Sequence, residues 1–145
     1  MAYRQVVYAS SATIVFNEES LNALLEKARK LNSRNNITGV LIHMEGSFIQ
    51  LLEGKEPALS ATYARIAADP RHTGITKLSD RTADERKYPE TLMGFRALAE
   101  TELAEYPELF QSENGRWIIN PDSDMDSRLR VIFDTFFRIN ANSRY

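Results

Sequence analysis

The chain reads as an α+β domain: a βαββαβ core whose mixed five-stranded sheet carries two helices on one face and C-terminal helices on the other. Three observations predict this. Short runs rich in β-branched and aromatic residues alternate with two segments patterned at helical spacing. Right-handed crossovers put both of those helices on the same side of the sheet. A third helical stripe, close to the C-terminus, is too apolar to remain in water and needs a surface to cover.

Residues 3–10 (Tyr3-Arg4-Gln5-Val6-Val7-Tyr8-Ala9-Ser10) form a first strand, with Val6 and Tyr8 on one face. Asn17 then supplies a helix cap, Glu18 and Glu19 suit the first turn, and Leu21, Leu24, Leu25 and Ala28 recur at helical spacing up to about Leu31. Continuing that period places Asn32 under the apolar stripe, where it either caps the helix or holds something. Ile37–Met44 and Ser47–Glu53 flank Glu45-Gly46 and read as a hairpin of two apolar strands. In the second of these Phe48, Gln50 and Leu52 share one face, and Ile49 and Leu51 share the other. A second helix spans Glu56 to Asp69, with Pro57 in its first turn, Leu59, Tyr63 and Ile66 on one stripe, and Pro70 forcing a stop. Ile75–Thr82 and Leu92–Leu98 read as a fourth and a fifth strand. Further on, Glu102–Phe110 reads as a short helix, Asn114-Gly115 and Asn120-Pro121 break the chain, and a last helix runs from about Asp124 to Ile139. Its stripe is Leu129, Ile132, Phe133, Phe136 and Phe137, predicted to pack on the sheet through Val7, Ile49 and Leu51 and to share in a homo-oligomeric contact.

Composition narrows the function classes. The 145 residues fit one domain with its own core, and 43% hydrophobic with 26% charged residues is ordinary globular composition. With 18 basic and 20 acidic residues the formal net charge is −2, which offers no electropositive footprint and argues against direct nucleic-acid binding. No cysteine is present, which excludes disulfides, zinc–thiolate sites and thiol catalysis. His43 and His72 lie in separate elements, so no metal site is expected. No apolar run approaches the roughly 18 residues a membrane span needs, and the N-terminus is too polar for a signal peptide, so a cytoplasmic protein without membrane contact is expected.

The arrangement concentrates polar groups in one apolar slot. With the first and third strands as central parallel neighbours, Tyr8 and Gln50 sit side by side facing the helices, and Asn32 reaches the same space from the end of the first helix. A buried, unpartnered amide costs about 1–3 kcal/mol, so Gln50 needs a partner. Either Tyr8 and Gln50 satisfy each other in the core, or they serve a ligand. Arg65 and Asp69 are four apart in the orientation that disfavours a helix, basic residue first and acid at the negative end of the dipole. Asp69-Pro70-Arg71-His72 is either a solvated charge run or the far wall of the slot. No Gly-rich phosphate loop of the Rossmann or Walker type occurs.

Five segments together resemble the BLUF family of blue-light sensors that use FAD. These are Val7-Tyr8-Ala9-Ser10, Ala28-Arg29-Lys30-Leu31-Asn32, Ile37-Thr38-Gly39, Phe48-Ile49-Gln50-Leu51-Leu52-Glu53-Gly54 and Asp69-Pro70-Arg71-His72, in the family's order and spacing over about residues 3–98. The resemblance implies a ferredoxin-like fold with the flavin between the two helices over the central strands. It implies that Tyr8 is the photochemical electron donor, that Gln50 switches hydrogen bonding between Tyr8 and the flavin, and that Asn32 clamps the ring's carbonyl edge. Arg65, Asp69, Arg71 and His72 are implied to contact the ring's polar edge or the ribityl and phosphate chain. Met93, on the fifth strand, is implied to relay the photoactive change toward the C-terminal helices.

Tyr8 can donate and accept one hydrogen bond, whereas Gln50 has a donor end and an acceptor end, so rearranging the amide exchanges its partners. The implied outcome is a new donor toward a flavin carbonyl and a small red shift, with no covalent product. Thr91 stands where many family members carry a tryptophan, so an output path through that indole is absent, and Trp117 lies outside the matched region. Residues 1–100 are then expected to be the flavin-binding photosensor and 101–145 a C-terminal helical appendage for output or oligomerisation. A short stand-alone sensor without an effector domain is expected, not an enzyme, signalling to an unidentified downstream protein. The competing reading is a flavin or small-ligand enzyme in the same ferredoxin-like cleft, with Tyr8 and His72 in acid–base roles.

Overall fold

The computed structural model describes residues 2–86 and 94–142. In chain order the first elements are β1 (Tyr3–Ala12), α1 (Glu18–Arg34), β2 (Thr38–Met44), β3 (Ser47–Lys55), α2 (Glu56–Ala67), β4 (His72–Ala83) and β5 (Phe95–Ala99). The strands form one sheet in the order β4-β1-β3-β2-β5. β1 and β3 are central neighbours as expected, but they run antiparallel rather than parallel. One helical crossover makes β2 run with β1, and the tight turn at Glu45-Gly46 then reverses β3. Both turn residues have positive φ, 50° and 79°, the hairpin geometry that matches strand twist. The sheet is mixed because β5 pairs parallel with β2.

Glycine is required where β2 meets β3. Gly39 has φ 140°, and a Cβ built there would stand 1.9 Å from the Leu51 carbonyl oxygen, so any side chain would force the strands apart. On α1, the Asn17 side chain accepts from the Ser20 N–H while the Ser20 hydroxyl accepts from the Asn17 N–H, a reciprocal cap. The helix continues beyond Leu31 to Arg34, and Asn35, not Asn32, is its C-cap.

Strand alternation divides the interior into two cores. Val6, Tyr8, Leu41, Phe48 and Leu52 face α1 and α2, meeting Leu25 and Leu59. Val7, Val40, Ile42, Ile49 and Leu51 face the other way, against Leu129, Phe133, Phe136 and Phe137 of a last helix, α3 (Ser127–Asn142). Full burial of each such side chain is worth roughly 1.5–3 kcal/mol, which fixes α3 to the face opposite α1 and α2. Ile132 is partly buried on the same core, so the predicted stripe is used up within the chain, and the exposed apolar residues of α3 are Val131 and Ile139 instead.

Residues 100–119 differ from expectation. A 3-10 helix at Glu100–Glu105 replaces the helix expected over Glu102–Phe110, and Asn114-Gly115 is the turn of a hairpin joining β6 (Phe110–Glu113) to β7 (Arg116–Ile119). Asn114 and Gly115 have φ 54° and 80°, the same turn geometry as Glu45-Gly46. Trp117 packs from β7 onto the α3 core. Among the described residues no helix is long and apolar enough to cross a membrane, and no cluster of potential ligands could hold a metal ion.

A polar chain anchors the start of α3. Buried Gln5 donates to Glu53 Oε2 (2.9 Å) and accepts from Arg81 Nε (3.0 Å), Arg81 Nη2 meets Asp126 Oδ2 (2.9 Å), and Asp126 Oδ1 accepts from the Leu129 N–H (2.8 Å). Asp126 is thus both N-cap of α3 and ion partner of β4, while Arg128 donates to Ser79 beside it. Asp126→Ala is expected to lower unfolding free energy by about 1–2 kcal/mol, mostly through the lost cap. Denaturant titration checks this; an unchanged midpoint would show that the apolar stripe alone holds the helix.

Candidate functional site

The cleft between α1, α2 and the central strands follows from the β1–β3 register. Tyr8 lies directly opposite Gln50, both facing the helices, and both are 2% exposed. The Tyr8 hydroxyl donates to Gln50 Oε1. Burial, and secondarily the nearby Tyr63 and Asp69, push the Tyr8 phenol well above its ordinary value, so it stays protonated and acts as a donor. With Oε1 occupied by Tyr8, the Gln50 amide nitrogen is left to serve another acceptor on the cleft side.

Leu24, Ala28, Leu31, Leu41, Phe48 and Ile66 form the apolar walls of the cleft, which opens to solvent at its mouth. Asn32 enters from α1, 3% exposed, and its Oδ1 has no hydrogen-bond partner among the described residues. A buried acceptor left unpaired costs about 1–3 kcal/mol, so it points to a ligand donor in the cleft. Of the two readings open for Asn32, cap and holder, the cap is taken by Asn35.

The mouth is polar. Arg65, Asp69, Arg71 and His72 all line it, together with Lys27, so the cleft brings together every expected site residue except Met93, which lies outside the described residues along with Thr91. Asp69 falls beyond the end of α2, not on it, and its partner is Arg71 rather than Arg65. Its carboxylate takes the Arg71 N–H (2.9 Å) and the guanidinium through Nε (3.0 Å) and Nη2 (2.5 Å), a turn stapled by its own ion pair. His72 opens β4 with both ring nitrogens engaged, Nε2 donating to the Ile66 carbonyl (2.6 Å) and Nδ1 accepting from the Ser10 hydroxyl (2.9 Å). It ties the end of α2 to β1. Lys27 had no distinguishing mark in the sequence, although it shares the helical face of Leu24 and Leu31, whereas Leu24, Ala28, Leu31, Phe48 and Ile66 stand on the apolar stripes and strand face read there.

An isoalloxazine ring fits this donor set: flat apolar walls, one unpaired acceptor for its ring N–H, an amide donor for a carbonyl and cations at the mouth for phosphates. The chain matches the family described as "Sensors of blue-light using FAD" over residues 3–94. It belongs to the BLUF family. A photoactivated adenylate cyclase subunit beta-like protein of Euglena gracilis is 36% identical over 104 residues, covering 72% of this chain and 12% of that protein. The blue light- and temperature-regulated antirepressor BluF of Escherichia coli is 27% identical over 127 residues, 88% of this chain and 31% of the relative. The chain therefore spans only a small part of the length of these relatives. Among solved structures, the BLUF protein BlrB in its dark state aligns with TM-score 0.59 and 25% identity over 71% of this chain and 76% of BlrB. A BLUF structure of BlrP1 shares the fold over 94% of this chain and 90% of its own, with TM-score 0.66 at 22% identity.

The site has a predictable acid limit. Hydrogen bonding and charge from Arg71 hold the Asp69 carboxyl down from 3.8 to about 2. A folded value below the unfolded one contributes stability that is fully present above about pH 4 and is lost as pH falls toward 2. Carboxyl NMR should place the Asp69 midpoint near 2, and Asp69→Asn should flatten the acid limb of the stability curve. A midpoint at the ordinary value would mean the staple does not persist in solution.

Proposed function

We propose that the chain is a blue-light photoreceptor in which Tyr8 and Gln50 form the photoactive pair and Asn32, Arg65, Asp69, Arg71 and His72 hold the flavin. The observation that carries this reading is the buried Tyr8–Gln50 hydrogen bond beside the unpaired Asn32 acceptor. Asn32 Oδ1 would accept from the ring N–H that lies between its carbonyls, Arg65 and Arg71 would meet the phosphate chain, and Asp69 and His72 would keep the α2–β4 wall in place. When bound, FAD supplies the absorption of blue light and a transient electron acceptor.

The protein's part is a two-state amide. Tyr8 would give up an electron to that acceptor while its hydroxyl proton moves along the existing bond to Gln50 Oε1, and both would return to Tyr8 when the charges recombine. During that excursion the Gln50 amide can rotate or tautomerise, exchanging its donor and acceptor ends. Among the described residues two routes would lead outward from β3: through β2 to β5, and through Glu53, Gln5 and Arg81 to the start of α3. Residues 1–100 act as the sensor and 101–145 as the output appendage. Within the same reading the chain works in the cytoplasm and passes its signal to a downstream protein. A homo-oligomeric contact would use Val131 and Ile139, since the α3 stripe is buried. The rival acid–base enzyme is disfavoured because both His72 nitrogens and the Tyr8 hydroxyl are already engaged.

Tyr8→Phe and Gln50→Leu should each retain bound flavin and lose the red-shifted product, read by absorption spectra before and after blue light; a full shift in either variant would sink the photoactive pair. Asn32→Ala should weaken flavin retention by about 0.5–1.5 kcal/mol, measured as a rise in dissociation constant.

A further inference from the structure

Tyr8 is fixed at its hydroxyl by Gln50, and its ring is flanked from α2 by Tyr63. The two ring centroids are 5.9 Å apart with the planes at 73°, the edge-to-face arrangement aromatic pairs favour. Tyr63 is itself held from outside. Pairing between β1 and β4 shifts from Val7–Ser79 to Tyr8–Lys77, leaving Leu78 as an extra, exposed residue. This bulge puts Lys77 opposite Tyr8, and Lys77 Nζ stands 5.2 Å from the Tyr63 ring centroid. Lys77 also meets Asp80 at 2.8 Å; Asp80 takes two bonds from Arg4, at 2.9 and 2.7 Å. Arg4 in turn donates to Ser60 of α2 at 2.9 Å, about one turn before Tyr63. Exposed ion pairs of this kind add little to stability; this one holds Lys77 beside the Tyr63 ring.

The geometry points to Tyr63 as a positioning residue for Tyr8, braced by Lys77 across the β4 bulge, that keeps the Tyr8 hydroxyl aligned on Gln50 Oε1. This rests on the photoreceptor reading. A hydrogen bond weakens steeply as its angle opens, so a tilt of the Tyr8 ring lowers the fraction of molecules poised for proton transfer. Tyr63 acts through its ring; its hydroxyl is not required.

The test compares Tyr63→Leu, Tyr63→Phe and Lys77→Met, each in the dark protein as purified. One readout is the downfield hydroxyl proton resonance of Tyr8, assigned by its loss in Tyr8→Phe. The other is the yield of red-shifted product per photon absorbed. Tyr63→Leu should cut that yield by about threefold or more, the scale of an aromatic pair, and move the resonance upfield. Tyr63→Phe should keep both, and Lys77→Met should shift both in the same direction as Tyr63→Leu but less. The proposal is overturned if Tyr63→Leu keeps the original yield and resonance, or if Tyr63→Phe loses as much as Tyr63→Leu. Should Tyr63→Leu fail to fold, an unchanged resonance in Lys77→Met overturns the bracing. If the unsubstituted chain gives no red-shifted product, the photoreceptor reading has failed instead, and the resonance alone decides the role of Tyr63.

Discussion

The antiparallel register between β1 and β3 sets Tyr8 against Gln50, and the positions of the other functional groups depend on it. Side chains alternate strictly along a strand, so a slip of one residue would send one member of the pair to the α3 face and leave the other alone in the cleft. The register is held from several directions. Val6 and Leu52 pair on the cleft face, Val7 and Leu51 on the other, and the close approach at Gly39 locks β2 onto β3. Each pairing buries apolar surface only in this alignment.

The two sheet faces do different work. One is sealed by α3 with aromatic and aliphatic side chains and tied by charged groups at its edge. The other is left partly open between α1 and α2, where the unpaired Asn32 acceptor and the half-engaged Gln50 amide remain. A fold this size tolerates such unsatisfied groups because the opposite face supplies a dense core. The polar defects that would weaken the cleft as packing are what make it suitable for a ligand.

Much of this was legible in the sequence, and the reasons differ by residue. Tyr8, Asn32 and Gln50 break an apolar period, and a polar group on a buried face is a strong signal. Strand direction was less accessible: adjacency of β1 and β3 follows from the connection rules, but their direction follows from the reversal at Glu45-Gly46, which makes the pair antiparallel. Asn114-Gly115 suits a chain break and a hairpin turn alike, and the four-residue strands β6 and β7 beside it are too short to declare themselves in sequence. Helical spacing carries on to Asp69, whereas the helix ends at Ala67 ahead of Pro70 and frees the carboxylate to fold back onto Arg71. Ser10, Lys27 and Tyr63 carry no periodic anomaly, and only tertiary contact gives them a role.

Gln5 and Gln50 stand on adjacent strands with the same side chain in contrasting surroundings. Gln5 has a carboxylate at its nitrogen end and a guanidinium at its oxygen end, so turning it over would set oxygen against oxygen and N–H against N–H. Its two orientations are far apart in energy, and the amide is a strut. Among the described residues Gln50 meets a hydroxyl, which can either donate or accept. No charge fixes its orientation, and one sheet thus carries a charge-locked amide and one that charge does not lock, distinguished by what stands beside it.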